Sequence, residues 1–180
     1  MPHPFEMPQK YVDRMIKRLG REHVQETFET KLTALVVVDM QNYFLDESQL
    51  AGAPVGQTIV DNINRIADVV RKTGGIVVWI QNLAPHHTPD SWKTVHERYT
   101  PEKGDLRVKS MTPGEWPFEL WPTLDVQEED YRVIKRRYSA FIQGSSDLEL
   151  ILTDNSCLLY TSPSPRDQRG AGVGAVGWKK

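Results

Sequence analysis

The segment that says most about the fold of this chain is Thr33-Ala34-Leu35-Val36-Val37-Val38-Asp39-Met40-Gln41-Asn42-Tyr43-Phe44. Residues 32–38 form a nearly continuous apolar and β-branched run that is too short for a typical helix. Such a run predicts a strand that is buried on both faces of a parallel sheet. Asp39 follows the run directly, so we expect its carboxylate at the carboxyl end of this strand, where open α/β sheets bind their ligands.

The residues that follow predict a β-α-β unit. Apolar residues recur with helical spacing from Ile59 to Val70 and stop at Gly74-Gly75. The next run, Ile76 to Ile80, has the composition of a second buried strand. In a right-handed connection of this kind the ends of both strands lie on one edge of the sheet.

A third strand is predicted at Tyr131–Lys135, and it is followed by a helix that begins near Ser146. Ser146 and Glu149 have the spacing of a capping box at the start of that helix. Alternation of strands and helices predicts an α/β fold, a three-layer α/β/α sandwich with a mainly parallel sheet. Between the second and third strands, residues 83–130 are polar and proline-bearing without clear periodicity, which is typical of a binding insertion.

The first 30 residues are expected to be a helical extension outside this fold. Their apolar residues from Tyr11 to Leu19 share one face at helical spacing, and Gly20 ends the pattern. We expect this helix to pack on the domain or on a second subunit.

The composition favours small-molecule chemistry. Basic and acidic residues nearly balance, at 22 against 24, so no broad field for nucleic acid or an anionic membrane is expected. The start of the chain does not have the pattern of a signal peptide, and no apolar run is long enough for a bilayer. Cys157 is the one cysteine, which excludes an internal disulfide. We therefore expect a cytoplasmic protein.

Asp39 and Lys135 are the candidate catalytic pair, because each ends a predicted parallel strand. The lysine would keep the aspartate ionised, and partial burial would keep the carboxylate able to accept a proton. The alternative is structural: Asp39 caps a turn, and Lys135 is a surface residue with a buried stem.

Two local sequence motifs resemble those of the isochorismatase-like cysteine hydrolases. Residues 33–44 are similar to the strand of that family that ends in Asp-Met-Gln-Asn, and Lys135-Arg136-Arg137-Tyr138-Ser139-Ala140-Phe141 is similar to its lysine segment. The resemblance covers roughly residues 33–153. It implies an Asp-Lys-Cys triad in which Asp39 is the general base and Lys135 orients it and stabilises developing negative charge. It implies no cofactor.

The cysteine segment of that family does not follow. From about Asn155 the periodicity fails, and Cys157 comes too early and before a Pro-Ser-Pro tract, so we do not expect it to be the nucleophile. Residues 157–167 resemble the translation of a transposase-type sequencing adapter. We therefore expect a truncated hydrolase domain at 31–155, a fold incomplete at its C-terminus, and a non-native or disordered tail at 156–180. The chain itself is expected to be inactive.

The insertion resembles that of ureidoacrylate and other N-carbamoyl amidohydrolases. This resemblance implies a small amide or ureido substrate and a C–N bond as the target. The predicted substrate-binding residues are Asn82, Trp92, Trp116 and Phe44. The tryptophans could equally be core or interface residues.

Three other functions stay open. His86, His87 and His96 suggest a zinc-dependent nicotinamidase-like relative, but no aspartate precedes them as in that subgroup, so we expect no metal site. The second is an isochorismatase-type hydrolase of vinyl ethers, and the third is a non-catalytic pseudoenzyme or binding module. The full-length protein is expected to form a homo-oligomer.

Overall fold

The structure is a computed structural model that describes residues 7–21, 27–84, 95, 97–161 and 177–178. The helices are α1 (Gln9–Leu19), α2 (Asn42–Leu45), α3 (Val60–Lys72), α4 (Pro101–Ser110) and α5 (Leu148–Asp154). The strands are β1 (Thr33–Val38), β2 (Ile76–Asn82), β3 (Tyr131–Lys135), β4 (Leu159–Thr161) and β5 (Gly177–Trp178). Short 3-10 helices lie at Thr30–Leu32, Pro54–Ile59 and Trp116–Phe118. The predicted strands and helices are thus present, with ends shifted by one or two residues.

The strands form one sheet in the order β3-β2-β1-β4-β5. β1, β2, β3 and β4 are parallel, and β5 pairs with β4 in the antiparallel sense. Val38 lies opposite Ile80, and Asn82 lies opposite Lys135. The register therefore brings the carboxyl ends of β1, β2 and β3 to one edge.

The alternation of side chains along the strands gives the sheet two apolar faces. Leu35, Val37, Val77 and Trp79 pack on one face against α3. On the other face the strands pack against α5, through Ala34, Val36, Val78, Ile80, Val133, Leu148 and Leu152. The predicted three-layer α/β/α sandwich with a mainly parallel sheet is confirmed.

A charged network fixes the C-terminal part of the insertion to α3. The Arg71 guanidinium donates to both carboxylate oxygens of Asp130, at 2.9 and 2.6 Å, and to Asp125 Oδ2 at 2.9 Å. The buried Trp79 indole N–H donates to Asp130 Oδ2 at 2.8 Å. A bidentate arginine–carboxylate pair fixes orientation as well as distance. This network holds residues 121–130 over the apolar face of the sheet.

The structure differs from the sequence prediction after Asn155. We predicted no further element there, yet β4 pairs with β1, Leu158 N–H donates to the Leu32 carbonyl at 2.8 Å, and Cys157 is buried in the core. The physical reason is that β1 offers unpaired backbone groups on that side, and Leu-Tyr-Thr has high β-propensity. The non-native origin of residues 156–180 stays a prediction.

The helix predicted near Ser146 begins at Leu148. Ser146 Oγ accepts a hydrogen bond from the Leu148 N–H at 3.3 Å and donates to the Ala140 carbonyl at 2.9 Å. The serine thus ties the turn after β3 to the start of α5.

The N-terminal helix α1 ends at Gly20, whose φ of 70° is the left-handed conformation that glycine adopts at low cost. None of the residues of α1 is buried. Packing of this helix on a second subunit stays a prediction. Within the residues the structure describes, no helix combines the length and the apolar character that a membrane span requires.

Candidate active site

Asp39 occupies a strained backbone position at the end of β1. Its φ is 59°, in the left-handed region that aspartate enters more readily than most side chains. Its N–H donates to the Ile80 carbonyl at 2.9 Å, which extends the β1–β2 ladder by one bond before the chain turns. Such strain is common at functional sites, because the turn aims the side chain away from the course of the strand.

Lys135 ends β3, and its ammonium reaches the Asp39 carboxylate. Nζ donates to Asp39 Oδ2 at 2.9 Å and to the Tyr138 carbonyl at 2.8 Å. The Lys135 side chain is 3% exposed and that of Asp39 is 16% exposed. Lys135 is therefore not a surface residue, and the predicted proximity of the two side chains is confirmed. Their catalytic roles remain predictions.

Gln41 ties the ends of β1 and β2 to the insertion, and the sequence prediction missed it. Its Oε1 accepts the Asn82 N–H at 2.7 Å, while its Nε2 donates to the carbonyls of Phe118 at 2.7 Å and Asn82 at 3.3 Å. Gln81 Nε2 also donates to the Phe118 carbonyl, at 3.0 Å. The signal for this role was a glutamine three residues beyond the end of a buried strand, where a side-chain amide can bond to backbone groups at the end of a neighbouring strand.

The structure does not bring all four predicted substrate-binding residues together in one described site. Asn82 is half-buried at the end of β2, opposite Lys135 in the register. Phe44 packs edge-on against Tyr43, with ring centroids 5.0 Å apart. Trp116 is 49% exposed, which excludes a core role within this chain, and its carbonyl accepts the Asn42 side-chain amide at 2.8 Å. Trp92 lies outside the described residues.

The sole cysteine lies at the opposite edge of the sheet from the Asp39–Lys135 pair. Cys157 precedes β4, which runs parallel to β1, and the next residue bonds to Leu32 just before β1 begins. The path along β1 from Leu32 to Asp39 is on the order of 20 Å at the usual rise of a strand. The Cys157 side chain is buried among apolar residues near α5. Cys157 therefore does not lie next to the candidate base.

Among the residues the structure describes, no three or more His, Cys, Asp or Glu side chains are grouped to hold a metal ion. The three histidines of the zinc hypothesis, at positions 86, 87 and 96, lie outside the described residues.

Comparison with known proteins identifies similar families and folds. Residues 33–157 match the model of the isochorismatase domain. The chain is 32% identical over 139 residues to the ureidoacrylate amidohydrolase RutB of Klebsiella variicola, a match that covers 67% of this chain and 57% of that protein. The chain thus spans a little over half the length of this curated relative.

Solved structures with the same fold include two hydrolases. A cysteine hydrolase from Pseudomonas syringae superposes with a TM-score of 0.67 at 20% identity, over 78% of this chain and 62% of that one. An N-carbamoylsarcosine amidase from Thermoplasma acidophilum superposes with a TM-score of 0.55 at 25% identity, over 73% of this chain and 66% of that one. The first likeness shows the fold alone.

Proposed function

Because this chain belongs to the isochorismatase family, we propose that it carries the base and the lysine of a cysteine-dependent hydrolase. The proposed reaction is cleavage of a C–N bond in a small amide or ureido compound. The observation that carries the proposal is the buried ion pair between Lys135 Nζ and Asp39 Oδ2, at 2.9 Å on the ligand-binding edge of the sheet.

In the proposed chemistry Asp39 is the general base. A cysteine thiol is mostly protonated at neutral pH, so a carboxylate beside it must take the proton to generate the attacking thiolate. The thiolate adds to the carbonyl carbon, the C–N bond breaks, and the nitrogen leaves with the proton that Asp39 accepted. Water, deprotonated by the same carboxylate, then attacks the thioester, or the thiocarbamate when the substrate is a ureido compound, and Asp39 returns the proton to the sulfur. An amide yields its acid, and a ureido compound yields carbamate, which breaks down to ammonia and carbon dioxide.

Lys135 has a positioning and an electrostatic role in this proposal. Two of its three N–H donors are engaged, by Asp39 and by the Tyr138 carbonyl. These two bonds fix the ammonium, so the remaining donor can stabilise negative charge that develops on a substrate oxygen. A lysine fixed in this way does not have to reorganise when negative charge develops on the substrate oxygen.

The substrate class follows from the relatives and from the site. The similarity to RutB, a ureidoacrylate amidohydrolase, and to an N-carbamoylsarcosine amidase supports a substrate with a ureido or carbamoyl group. Asn82 lies beside Lys135 in the register, where a side-chain amide can both donate to and accept from such a group. Trp92, Trp116 and Phe44 remain predicted substrate contacts.

The polypeptide of 180 residues holds no thiol at the Asp39–Lys135 pair, since its one cysteine lies at the other edge of the sheet. Ligand binding without turnover is therefore a second candidate function, for this chain itself. A complete reading frame is proposed to supply the nucleophile. A cytoplasmic location and a homo-oligomer remain predictions.

The test is hydrolysis by the complete reading frame of the source gene, assayed on ureidoacrylate, nicotinamide and isochorismate. We expect ammonia release from ureidoacrylate at a kcat/KM at least about 100-fold above that for nicotinamide, because a site built to hydrogen-bond a ureido group rejects ligands that lack it. Turnover of isochorismate alone would overturn the proposal and favour vinyl ether hydrolysis. Binding of ureidoacrylate without turnover would favour the second candidate.

A further inference from the structure

Helix α1 presents a basic stripe beside an apolar stripe. Its four basic side chains fall within an arc of about 100° at the helical period of 3.6 residues per turn. These basic residues are Lys10, Arg14, Lys17 and Arg18. The apolar side chains occupy the adjoining part of the circumference, and they belong to Tyr11, Val12, Met15, Ile16 and Leu19. The helix therefore has two adjacent surfaces of different character.

Both stripes of α1 lack a partner in the part of the chain that the structure describes. Tyr11, Met15, Ile16 and Leu19 are 38–47% exposed, and no residue of the helix is buried. None of its basic side chains forms an ion pair with a described residue. A helix of 11 residues is marginal in water, because most helical stability in proteins comes from packing. We therefore expect α1 to be held by a surface outside its own chain.

The turn at residues 115–119 has the complementary character. Trp116 is 49% exposed, and Glu115 and Glu119 flank it. Neither glutamate forms an ion pair among the described residues. Asn42 fixes the turn, because its side-chain amide donates to the Trp116 carbonyl at 2.8 Å and its N–H donates to the Glu119 carbonyl at 2.9 Å. The turn is thus a fixed platform with an exposed indole between two unpaired carboxylates.

The distribution of charge along the chain favours an encounter between the helix and this region. Residues 112–131 contain six acidic residues and no lysine, arginine or histidine. Among the described residues, Arg71 is the one basic partner of this segment. Outside α1 the whole chain has 18 basic and 23 acidic residues. The chain outside α1 therefore attracts a basic helix and is repelled by an anionic membrane.

We propose that α1 of one copy of this chain docks on the turn at residues 115–119 of a second copy. Each copy gives one helix and accepts one, as in a two-fold symmetric dimer. In this interface Tyr11 and Met15 pack on the exposed Trp116 indole, since aromatic and thioether side chains both pack favourably on an aromatic ring. The exchange covers the apolar stripe that a single chain leaves in water.

The charged side chains set the orientation of the docked helix. Arg14 and Arg18 lie at the border between the two stripes, so they pair with Glu115 and Glu119 on either side of the indole. Because Asn42 anchors the turn three residues after Asp39, the helix of one copy lies beside the candidate active site of the other. Trp116 is then an interface residue, and the inference does not depend on the proposed function.

The test is sedimentation analysis of the chain of 180 residues over a range of concentrations and at two salt concentrations. The wild type is expected to form a dimer whose dissociation constant rises at least about tenfold between about 50 mM and about 500 mM salt, because screening weakens the ion pairs. Trp116→Ala should raise the dissociation constant at least about tenfold at low salt, because it removes the aromatic anchor.

Charge reversal on both sides identifies the contact. Arg14→Glu with Arg18→Glu should raise the dissociation constant at least about 30-fold, and so should Glu115→Arg with Glu119→Arg, because each places like charges opposite each other. A protein that carries all four substitutions should recover the dissociation constant to within about fivefold of the wild type, since opposite charges face each other again. This recovery excludes misfolding as the cause of the loss.

Lys10→Glu with Lys17→Glu is the matched control, because it reverses two charges on α1 at the side of the basic stripe away from the apolar residues. It should change the dissociation constant at most about threefold. A wild type that is monomeric at every concentration, or a fourfold variant without recovery, would overturn the inference. Protection of α1 from trypsin in a monomer would place the helix on its own chain, and capture of a monomer by anionic vesicles would make a membrane the occupant. Either result also overturns it.

Discussion

At the scale of single residues, the Asp39–Lys135 pair combines a strained backbone with a buried charge. Asp39 adopts a φ of 59°, and Lys135 is 3% exposed. Moving a charge from water into the protein interior is costly, and the ammonium is tolerated because it donates hydrogen bonds to the Asp39 carboxylate and to the Tyr138 carbonyl. Each member of the pair therefore needs the other for stability as well as for the proposed chemistry.

The first prediction concerns this mutual dependence. Asp39→Asn keeps a side chain that tolerates the left-handed backbone but leaves the ammonium buried without its counter-charge. We expect a loss of about 3 kcal/mol in the free energy of unfolding, measured by urea denaturation. Adding Lys135→Met to Asp39→Asn should restore most of that loss, because no charge then remains buried. A double variant as unstable as the single one would contradict this explanation.

The sequence predicted the meeting of these two residues because strand ends in a parallel sheet share an edge. It could not predict the backbone of Asp39, since an aspartate after a strand is compatible with several turns.

At the scale of elements, buried polar side chains connect the strands to the insertion. Gln41 bonds to both backbone groups of Asn82 and to the Phe118 carbonyl. Gln41 is 0% exposed, so none of these bonds is exchanged for water. The position of Asn82, opposite Lys135, depends on this side chain.

The second prediction tests that dependence. Gln41→Leu should lower the free energy of unfolding by about 2–3 kcal/mol, because the Asn82 N–H loses its acceptor in a buried place. Amide hydrogen exchange at Asn82 should accelerate more than exchange in the middle of β2. Gln49→Leu, at a more exposed position, is the control and should leave both measurements unchanged. Unchanged exchange at Asn82 in Gln41→Leu would show that another acceptor replaces the glutamine.

The third prediction concerns the pH dependence of the α3–insertion contact. Burial alone would raise the pKa of Asp130, but the Arg71 guanidinium, the Trp79 N–H and the Gln127 N–H together hold it below its ordinary value. A carboxyl group whose pKa is lowered in the folded state stabilises that state at pH values above its ordinary pKa of about 3.9. This stabilisation is lost as the pH falls through the lowered pKa.

Asp130→Asn should therefore destabilise the protein by about 3 kcal/mol at pH 7, and the difference from the wild type should shrink below about pH 4. Urea denaturation from pH 3 to pH 7 measures this. Asp68→Asn is the control on α3, because its pair with Lys72 is exposed and contributes at most about 0.5 kcal/mol. A difference that does not change with pH would contradict the ionic origin.

The elements on either side of the insertion were predictable from periodicity, and those within it were not. α4 combines a proline, a glycine and several charged residues, so it has no apolar period from which a helix could be predicted. The network at Arg71 joins residues more than 50 positions apart in the sequence. No local pattern contains that information.

At the scale of the whole molecule, the sheet separates the candidate base from the only thiol. β1 and β4 run in the same direction, so a residue before β4 and a residue after β1 lie at opposite edges. The sequence predicted that Cys157 is not the nucleophile, and the topology gives the physical reason. The sequence did not predict β4, because three residues of strand after an irregular turn give no periodic signal.

The fourth prediction follows from the burial of this thiol. Cys157 should react slowly with a thiol-specific disulfide reagent in the native chain and rapidly in urea, because it lies in the core on the α5 face. Cys157→Ser should lower the free energy of unfolding by about 1–2 kcal/mol, since it places a hydroxyl among apolar residues. A native labelling rate that depends on Asp39 would place the thiol beside the base and contradict the topology.

The most direct test of the central claim is ammonia release from ureidoacrylate by the complete reading frame, measured for the wild type and for Asp39→Asn. If Asp39 generates the thiolate, the variant should lose at least about 1,000-fold in kcat/KM, because both the attack and the release of the nitrogen need its proton transfer. A variant that retains turnover within a few fold of the wild type would show that the Asp39–Lys135 pair only stabilises the fold.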